Sequence, residues 1–189
     1  MISGRPTMPQ DTSPPDDLWV FGYGSLIWRP GFEFAERAPA RAVGAHRALC
    51  VFSHDHRGTP EKPGLVLGLD YGGACRGVAY RVEAARRAET IDYLRAREQT
   101  TMVYRETHRS VWLDGTPERR VSALCYMVDR GHKQYAGRLS PDQQLHLVRQ
   151  GHGRSGANRD YVIETVRALE ALGCRDRELH LLAERLKND

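Results

Sequence analysis

Leu18-Trp19-Val20-Phe21 is a wholly apolar run, and Gly22-Tyr23-Gly24-Ser25 stops it at once. A short apolar run bounded by turn residues marks a buried strand entering a glycine turn. Further short strands are expected near 41–52, 65–70 and 75–82, separated by loops rich in Gly, Pro and Asp. From Glu83 to about Arg97 the period changes, with no Gly or Pro and with Ala84, Ala88, Ile91 and Leu94 at helical spacing. The β-branched Thr100, Thr101 and Val103 end that helix near Gln99. Tyr104 to Leu113 and Arg119 to Val128 alternate as strands, joined by an Asp114-Gly115-Thr116-Pro117 hairpin turn. Ser140-Pro141-Asp142-Gln143 supplies an N-cap, a proline at the first helical position and a capping-box glutamine. Two more helices are expected, from about 158 to 172 and from 175 to 186.

Short strands, one mid-chain helix and helices toward the end make an α+β pattern, read as a small mixed β-barrel or strongly bent sheet flanked by helices. The order is not a βαβ repeat, which argues against a doubly wound nucleotide fold. At 189 residues with 40% hydrophobic content, the chain can build one compact core. That single domain is expected to span 18–189, after a polar, Pro-rich flexible leader at 1–17 that offers nothing to bury and has no apolar segment of a secretory signal. No stretch approaches the about eighteen apolar residues of a membrane span, so a soluble, cytoplasmic protein is expected.

Lys and Arg number 28 against 24 Asp and Glu, a net charge of +4. The arginines are scattered, most with an acid nearby, and form no patch interleaved with aromatics, so nucleic acid is not the expected partner. The four cysteines, Cys50, Cys75, Cys125 and Cys174, lie far apart without a CxxC pair and read as free buried thiols. His54-Asp55-His56, with His46 upstream, lacks the spacing of a zinc site and reads as a hydrogen-bonding loop element, so no metal is expected.

Four segments carry candidate chemistry. Gly22-Tyr23-Gly24-Ser25-Leu26 lacks the third glycine of a dinucleotide fingerprint, the Gly-Lys-Ser/Thr of a P-loop and the outer glycines of a nucleophile elbow. What remains is a strand-to-turn element whose backbone N–H groups suit a carboxylate or an oxyanion, or an ordinary tight turn. Gly24 there is expected to need positive φ or close backbone approach. Glu98 sits at the negative end of the 83–97 helix, where its pKa should rise toward that of a general base, although Arg95 and Arg97 pull it back. The plain alternative is a solvated glutamate paired with Arg95. Gly153-Arg154-Ser155-Gly156-Ala157-Asn158 leads to Tyr161. It is either a loop capped by Ser155 or Asn158 with Tyr161 in the core, or a pocket wall with the Tyr161 hydroxyl aimed inward. Ser53-His54-Asp55-His56-Arg57-Gly58-Thr59-Pro60 is a loop dense in donors, where Arg57 either meets a ligand carboxylate or ties the loop down.

Taken together, Trp19 to Trp28, Asp55 to Pro60, Arg97-Glu98 and Ser155 to Asn158 with Tyr161 resemble the ChaC-like γ-glutamylcyclotransferases of the glutathione-degrading branch, in that family's order. The resemblance implies a γ-glutamylcyclotransferase-like barrel with no cofactor and with glutathione as its small-molecule partner. Neither nucleic acid nor a membrane is an expected partner, and a monomer or weak homodimer is expected. The resemblance makes Glu98 the acid/base residue. Val20, Phe21, Gly22, Tyr23, Gly24, Ser25 and Leu26 become the γ-glutamyl cradle, with Arg57 and Tyr161 also binding substrate. The implied reaction closes the γ-glutamyl group to 5-oxoproline and expels cysteinylglycine. Gln99-Thr100-Thr101-Met102-Val103 replaces a short double-glycine turn present in some members. Other γ-glutamyl peptides or amines, and a non-catalytic role in regulating cation transport, are the competing functions.

Overall fold

The computed structural model describes residues 16–115 and 117–188. Most of the expected leader, residues 1–15, and Thr116 of the expected hairpin turn lie outside the described residues. Five strands, β1 (Leu18–Gly22), β2 (Glu36–Ser53), β3 (Gly64–Val82), β4 (Tyr104–Leu113) and β5 (Arg119–Val128), close a barrel in the order β1-β3-β2-β4-β5. β1 runs antiparallel to β3 and parallel to β5. Four helices surround it: α1 (Arg87–Glu98), α2 (Pro141–Gln150), α3 (Asn158–Ala171) and α4 (Arg177–Lys187).

β1 explains its own composition. Trp19 and Phe21 pack with the residues under α2, α3 and α4, whereas Leu18 and Val20 join Leu94 of α1. Side chains alternate across a strand, so one buried on both faces must be apolar at every position. α2 begins with the expected capping box: Gln143 N–H donates to Ser140 Oγ at 3.2 Å, and Ser140 N–H to Gln143 Oε1 at 2.9 Å. Asp17, the last residue of the expected leader, accepts from Arg81 Nη1 at 2.7 Å and from the Ala84 amide at 3.0 Å.

Two strand expectations are corrected. The runs at 65–70 and 75–82 form a single strand, because Gly72 and Gly73 take φ of 96° and 72° and carry the chain through a bulge rather than a loop. β2 starts at Glu36, five residues earlier than the near-41 expectation, paired with Arg81 through its alternating alanines. The mid-chain helix is also split, with a 3-10 turn at Ala84–Arg86 before α1. Its buried positions are Thr90 and Leu94, whereas Ala84 and Ala88 face solvent.

Gly77 on β3 lies under the end of β1, where an added Cβ would run into the Gly22 carbonyl oxygen and press on the Phe21 ring. A methyl group there has to push the two strands apart. Gly77→Ala is therefore expected to cost about 1–3 kcal/mol, read in urea titration as a lower midpoint at unchanged slope. An unchanged midpoint would show that the barrel yields at this point.

Candidate active site

At Gly22 the chain leaves the barrel and passes through Tyr23 and Gly24 into a 3-10 turn, Ser25–Ile27. Beside that turn opens a cavity of about 540 Å³, lined by Tyr23 to Leu26, Arg57, Glu98, Tyr104 and Tyr161. A larger groove of about 850 Å³ runs between β2 and the starts of α2 and α4, past His46, Asp70 and Asp176, and holds none of the expected site residues. The smaller cavity brings together Tyr23, Gly24, Ser25, Leu26, Arg57, Glu98 and Tyr161. Val20, Phe21 and Gly22 do not line it: Val20 and Phe21 are fully buried in the barrel wall, and all three anchor the turn from behind.

The turn is held from several sides. Tyr23 O–H donates to the Tyr126 carbonyl at 3.1 Å, and the Tyr23 carbonyl accepts from Arg47 Nε at 2.6 Å. Arg97 Nη2 donates to Ser25 Oγ at 2.8 Å. The amides of Gly24, Ser25 and Leu26 open the 3-10 turn, so they have no partner within it. Gly24 corrects the expectation of positive φ, since its φ is −131°. What matters there is direction: an added Cβ would sit 3.5 Å from both Leu67 Cδ1 and the Tyr161 hydroxyl.

Glu98 ends α1, with its side chain 17% exposed. Desolvation by burial raises its carboxyl pKa, and neighbouring Arg97 lowers it. The expected direction is right, and burial is its leading cause. The pairing with Arg95 is corrected, because Arg95 forks onto Glu106 at 2.8 and 3.0 Å. Arg97 Nε lies 3.3 Å from Glu98 Oε1. Its remaining nitrogens are spent on the Arg29 and Pro30 carbonyls, Tyr93 and Ser25.

Arg57 does tie its loop down, with Nη1 donating to the Ala157 carbonyl at 3.1 Å, yet the guanidinium also lies over the Tyr161 ring at the cavity wall. The Tyr161 hydroxyl accepts from the Leu67 amide at 3.2 Å. Burial raises its pKa to about 12, so it stays protonated at neutral pH. Asn158 does not cap α3, where Ala157 is the N-cap. Its side-chain amide instead bonds both the N–H and the carbonyl of Leu65, at 2.6 and 2.7 Å. His56 has both ring nitrogens engaged, by Ser155 Oγ at 2.8 Å and Arg154 Nη2 at 2.9 Å. His54 stacks on Phe52. All four cysteines are free thiols.

The sequence reading missed Tyr104 and Arg97 as site residues. Tyr104 heads a strand and donates its hydroxyl to the Leu67 carbonyl at 2.8 Å. Its buried tip was masked by the expectation of an ordinary alternating strand. Arg97 reads from the sequence as a charge near Glu98 and as part of the Arg97-Glu98 match, whereas in the structure it ties α1 to Ser25 of the turn and to the Arg29 and Pro30 carbonyls that follow it.

The barrel with its cavity at the end of β1 is a γ-glutamylcyclotransferase fold. It superposes with a TM-score of 0.84 on the crystal structure of a γ-glutamyl cyclotransferase specific to glutathione from yeast, at 24% identity over 91% of this chain and 96% of that one. The family model for ChaC-like proteins matches residues 18–189, and the chain belongs to that family. Among its relatives, the glutathione-specific γ-glutamylcyclotransferase of Escherichia coli K12 is 34% identical over 175 residues, 92% of this chain and 75% of that protein. The human glutathione-specific γ-glutamylcyclotransferase 1 is 28% identical over 177 residues, 93% of this chain and 80% of its own.

The raised Glu98 pKa has a consequence for stability. The folded protein holds this proton more tightly than the unfolded chain, so stability falls as pH rises from the ordinary glutamate range through the raised folded value. Glu98→Gln removes that cost. The variant is expected to melt at or above the wild-type temperature at about pH 7 and to lose the advantage near pH 4. A variant clearly less stable than wild type at neutral pH would mean that the Arg97 contact outweighs the burial.

Proposed function

We infer that this chain is a glutathione-specific γ-glutamylcyclotransferase. One observation carries the reading: a half-buried carboxylate of raised pKa, Glu98, shares a cavity with the amides of the Gly24–Leu26 turn and the Tyr161 hydroxyl. The relatives' names supply the substrate. The single domain at 18–189 is the catalytic unit, and the free cysteines suit the reducing cytoplasm.

In glutathione the γ-glutamyl α-amine reaches its own γ-carbonyl and closes a five-membered ring. The N–C bond of 5-oxoproline forms, the amide bond to cysteine breaks, and cysteinylglycine leaves. Attack within one molecule lowers the barrier by up to about 7–11 kcal/mol when the chain is held curled. Two tasks remain for the protein. The attacking nitrogen must lose two protons in passing from ammonium to lactam N–H. The leaving nitrogen must gain one to depart as an amine, which takes up a second from solvent. Glu98 serves both, and a carboxyl raised toward neutrality accepts the ammonium proton more readily than an exposed one. The turn amides and Tyr161 serve the substrate carboxylate and the oxyanion that develops on the γ-carbonyl. The Tyr161 hydroxyl already accepts from Leu67, which leaves its own hydrogen to donate. Balance consumes no water and requires no metal ion or enzyme nucleophile.

Two variants test this with purified protein, reduced glutathione and assay of 5-oxoproline and cysteinylglycine. Glu98→Gln keeps the shape but accepts no proton, so kcat should fall about 10²–10⁴-fold while substrate still binds. Turnover within about tenfold of wild type would place the base elsewhere. Gly24→Val puts two methyl groups toward Tyr161 and Leu67, in the cavity itself. It should abolish turnover and glutathione binding with little change in melting temperature. Normal glutathione binding by this variant would remove the turn from the substrate site.

A further inference from the structure

Three arginines line the cavity, and they differ in what they have left to give. Arg97 is committed to Ser25, Tyr93 and two carbonyls. Arg57 is half-buried, tied to Ala157 and stacked on Tyr161. Arg29 is exposed, and its guanidinium has no hydrogen bond or ion pair among the described residues. Its backbone is fixed nonetheless. The Arg29 amide donates to the Ser25 carbonyl at 2.8 Å, and its carbonyl accepts from Arg97 Nη1 at 2.7 Å. A cation with a clamped backbone and a free head, at the mouth of a substrate cavity, is positioned for an anion that arrives with the substrate.

We propose that Arg29 binds the C-terminal glycine carboxylate of the tripeptide and so sets the preference for glutathione over shorter or neutral γ-glutamyl compounds. This rests on the cyclotransferase reading. With the γ-carbonyl held between the turn and Glu98, cysteine and glycine extend outward. Two residues reach about 7 Å, enough to carry the terminal carboxylate from the reacting carbon toward the mouth. On the α3 side the mouth carries Glu164, exposed and one turn beyond Tyr161. Like charge turns the carboxylate away from that wall, and Arg29 attracts it on the α1 side. The contact forms far from the bond that breaks and is equally strong before and during reaction. It therefore acts on KM rather than on kcat.

The experiment compares wild type, Arg29→Gln and Arg29→Lys on reduced glutathione and on its glycine carboxamide, by 5-oxoproline release. Wild type should favour glutathione over the amide by about tenfold in kcat/KM. Arg29→Gln should raise KM for glutathione by about fivefold to tenfold, keep kcat within about twofold, and leave the amide unaffected. Arg29→Lys should recover most of the loss, and added salt should raise the wild-type KM for glutathione but not that of Arg29→Gln. Equal use of the two substrates by wild type overturns the assignment, as does an Arg29→Gln loss that is the same for both. A wild type that releases no 5-oxoproline refutes the cyclotransferase reading instead. Titration of the two tripeptides into Glu98→Gln protein, with and without Arg29→Gln, then decides the carboxylate contact separately, and equal affinities overturn it.

Discussion

The edge of β3 at Leu65 and Leu67 is the constraint on which the site depends. Above it β3 pairs with β1 from Val78 to Val82 and touches β5 at Leu69. Below it β1 has already turned away, so the peptide groups of Leu65 and Leu67 have no strand to meet on that side. Buried and unpaired, each polar group would cost about 1–3 kcal/mol. Three side chains replace the missing strand. Asn158 satisfies both groups of Leu65, Tyr161 receives the Leu67 amide, and the Leu67 carbonyl receives Tyr104. The cavity is the opening left where a strand is replaced by side chains. Tyr104 and Tyr161 therefore close the barrel and wall the site at the same time.

The scattered arginines find their use around that opening. Arg47, with only 4% of its side chain exposed, reaches from β2 to the Tyr23 and Arg76 carbonyls and to Asp176. Arg97 reaches the same turn from α1. Two guanidinium groups arriving from opposite sides thus fix the Tyr23–Ser25 segment through carbonyl and hydroxyl oxygens. The arrangement also bears on Glu98. Arg97 distributes its donors over four neutral oxygens and offers the carboxylate only Nε, so its lowering influence is secondary to burial. A bidentate Arg97–Glu98 pair would hold the carboxylate ionised and weaken it as a base.

What was legible in the sequence is what local pattern encodes. The apolar run of β1, the presence of a helix before Gln99, the capping box at Ser140 and the extents of β4 and β5 are each written within about ten residues, although β5 is buried on both faces from Ala123 to Val128 rather than alternating. The continuity of β3 was not legible, because glycine pairs read equally well as a loop or as a bulge and only the pairing with β2 decides. Asn158 looked like a cap because that is the local use of asparagine before a helix. Its actual partner, Leu65, is 93 residues away. For Gly24 only the positive-φ alternative fails, with φ at −131°, and the space beside it belongs to Leu67 and Tyr161. Tyr104 was missed for the same reason as Asn158, since its partner Leu67 lies on another strand, 37 residues away.

On the proposed reading the substrate is a thiol tripeptide, and the chain's own thiols must not react with it. Disulfide exchange requires a thiolate, and an accessible cysteine of ordinary pKa would be open to mixed disulfides once any of the substrate is oxidised. Three of the four cysteines are placed against this. Burial pushes Cys50 up to about 12, Cys75 to about 11 and Cys125 to about 12. At neutral pH these three are protonated and behave as small apolar side chains. None of the four lines the cavity. Of the two carboxylates that line the cavity, Glu164 stands exposed at the mouth, and Glu98 is the enclosed one, whose pKa burial raises. Desolvation thus has opposite uses on two residue types: it silences the thiols as nucleophiles and makes the carboxylate a better base.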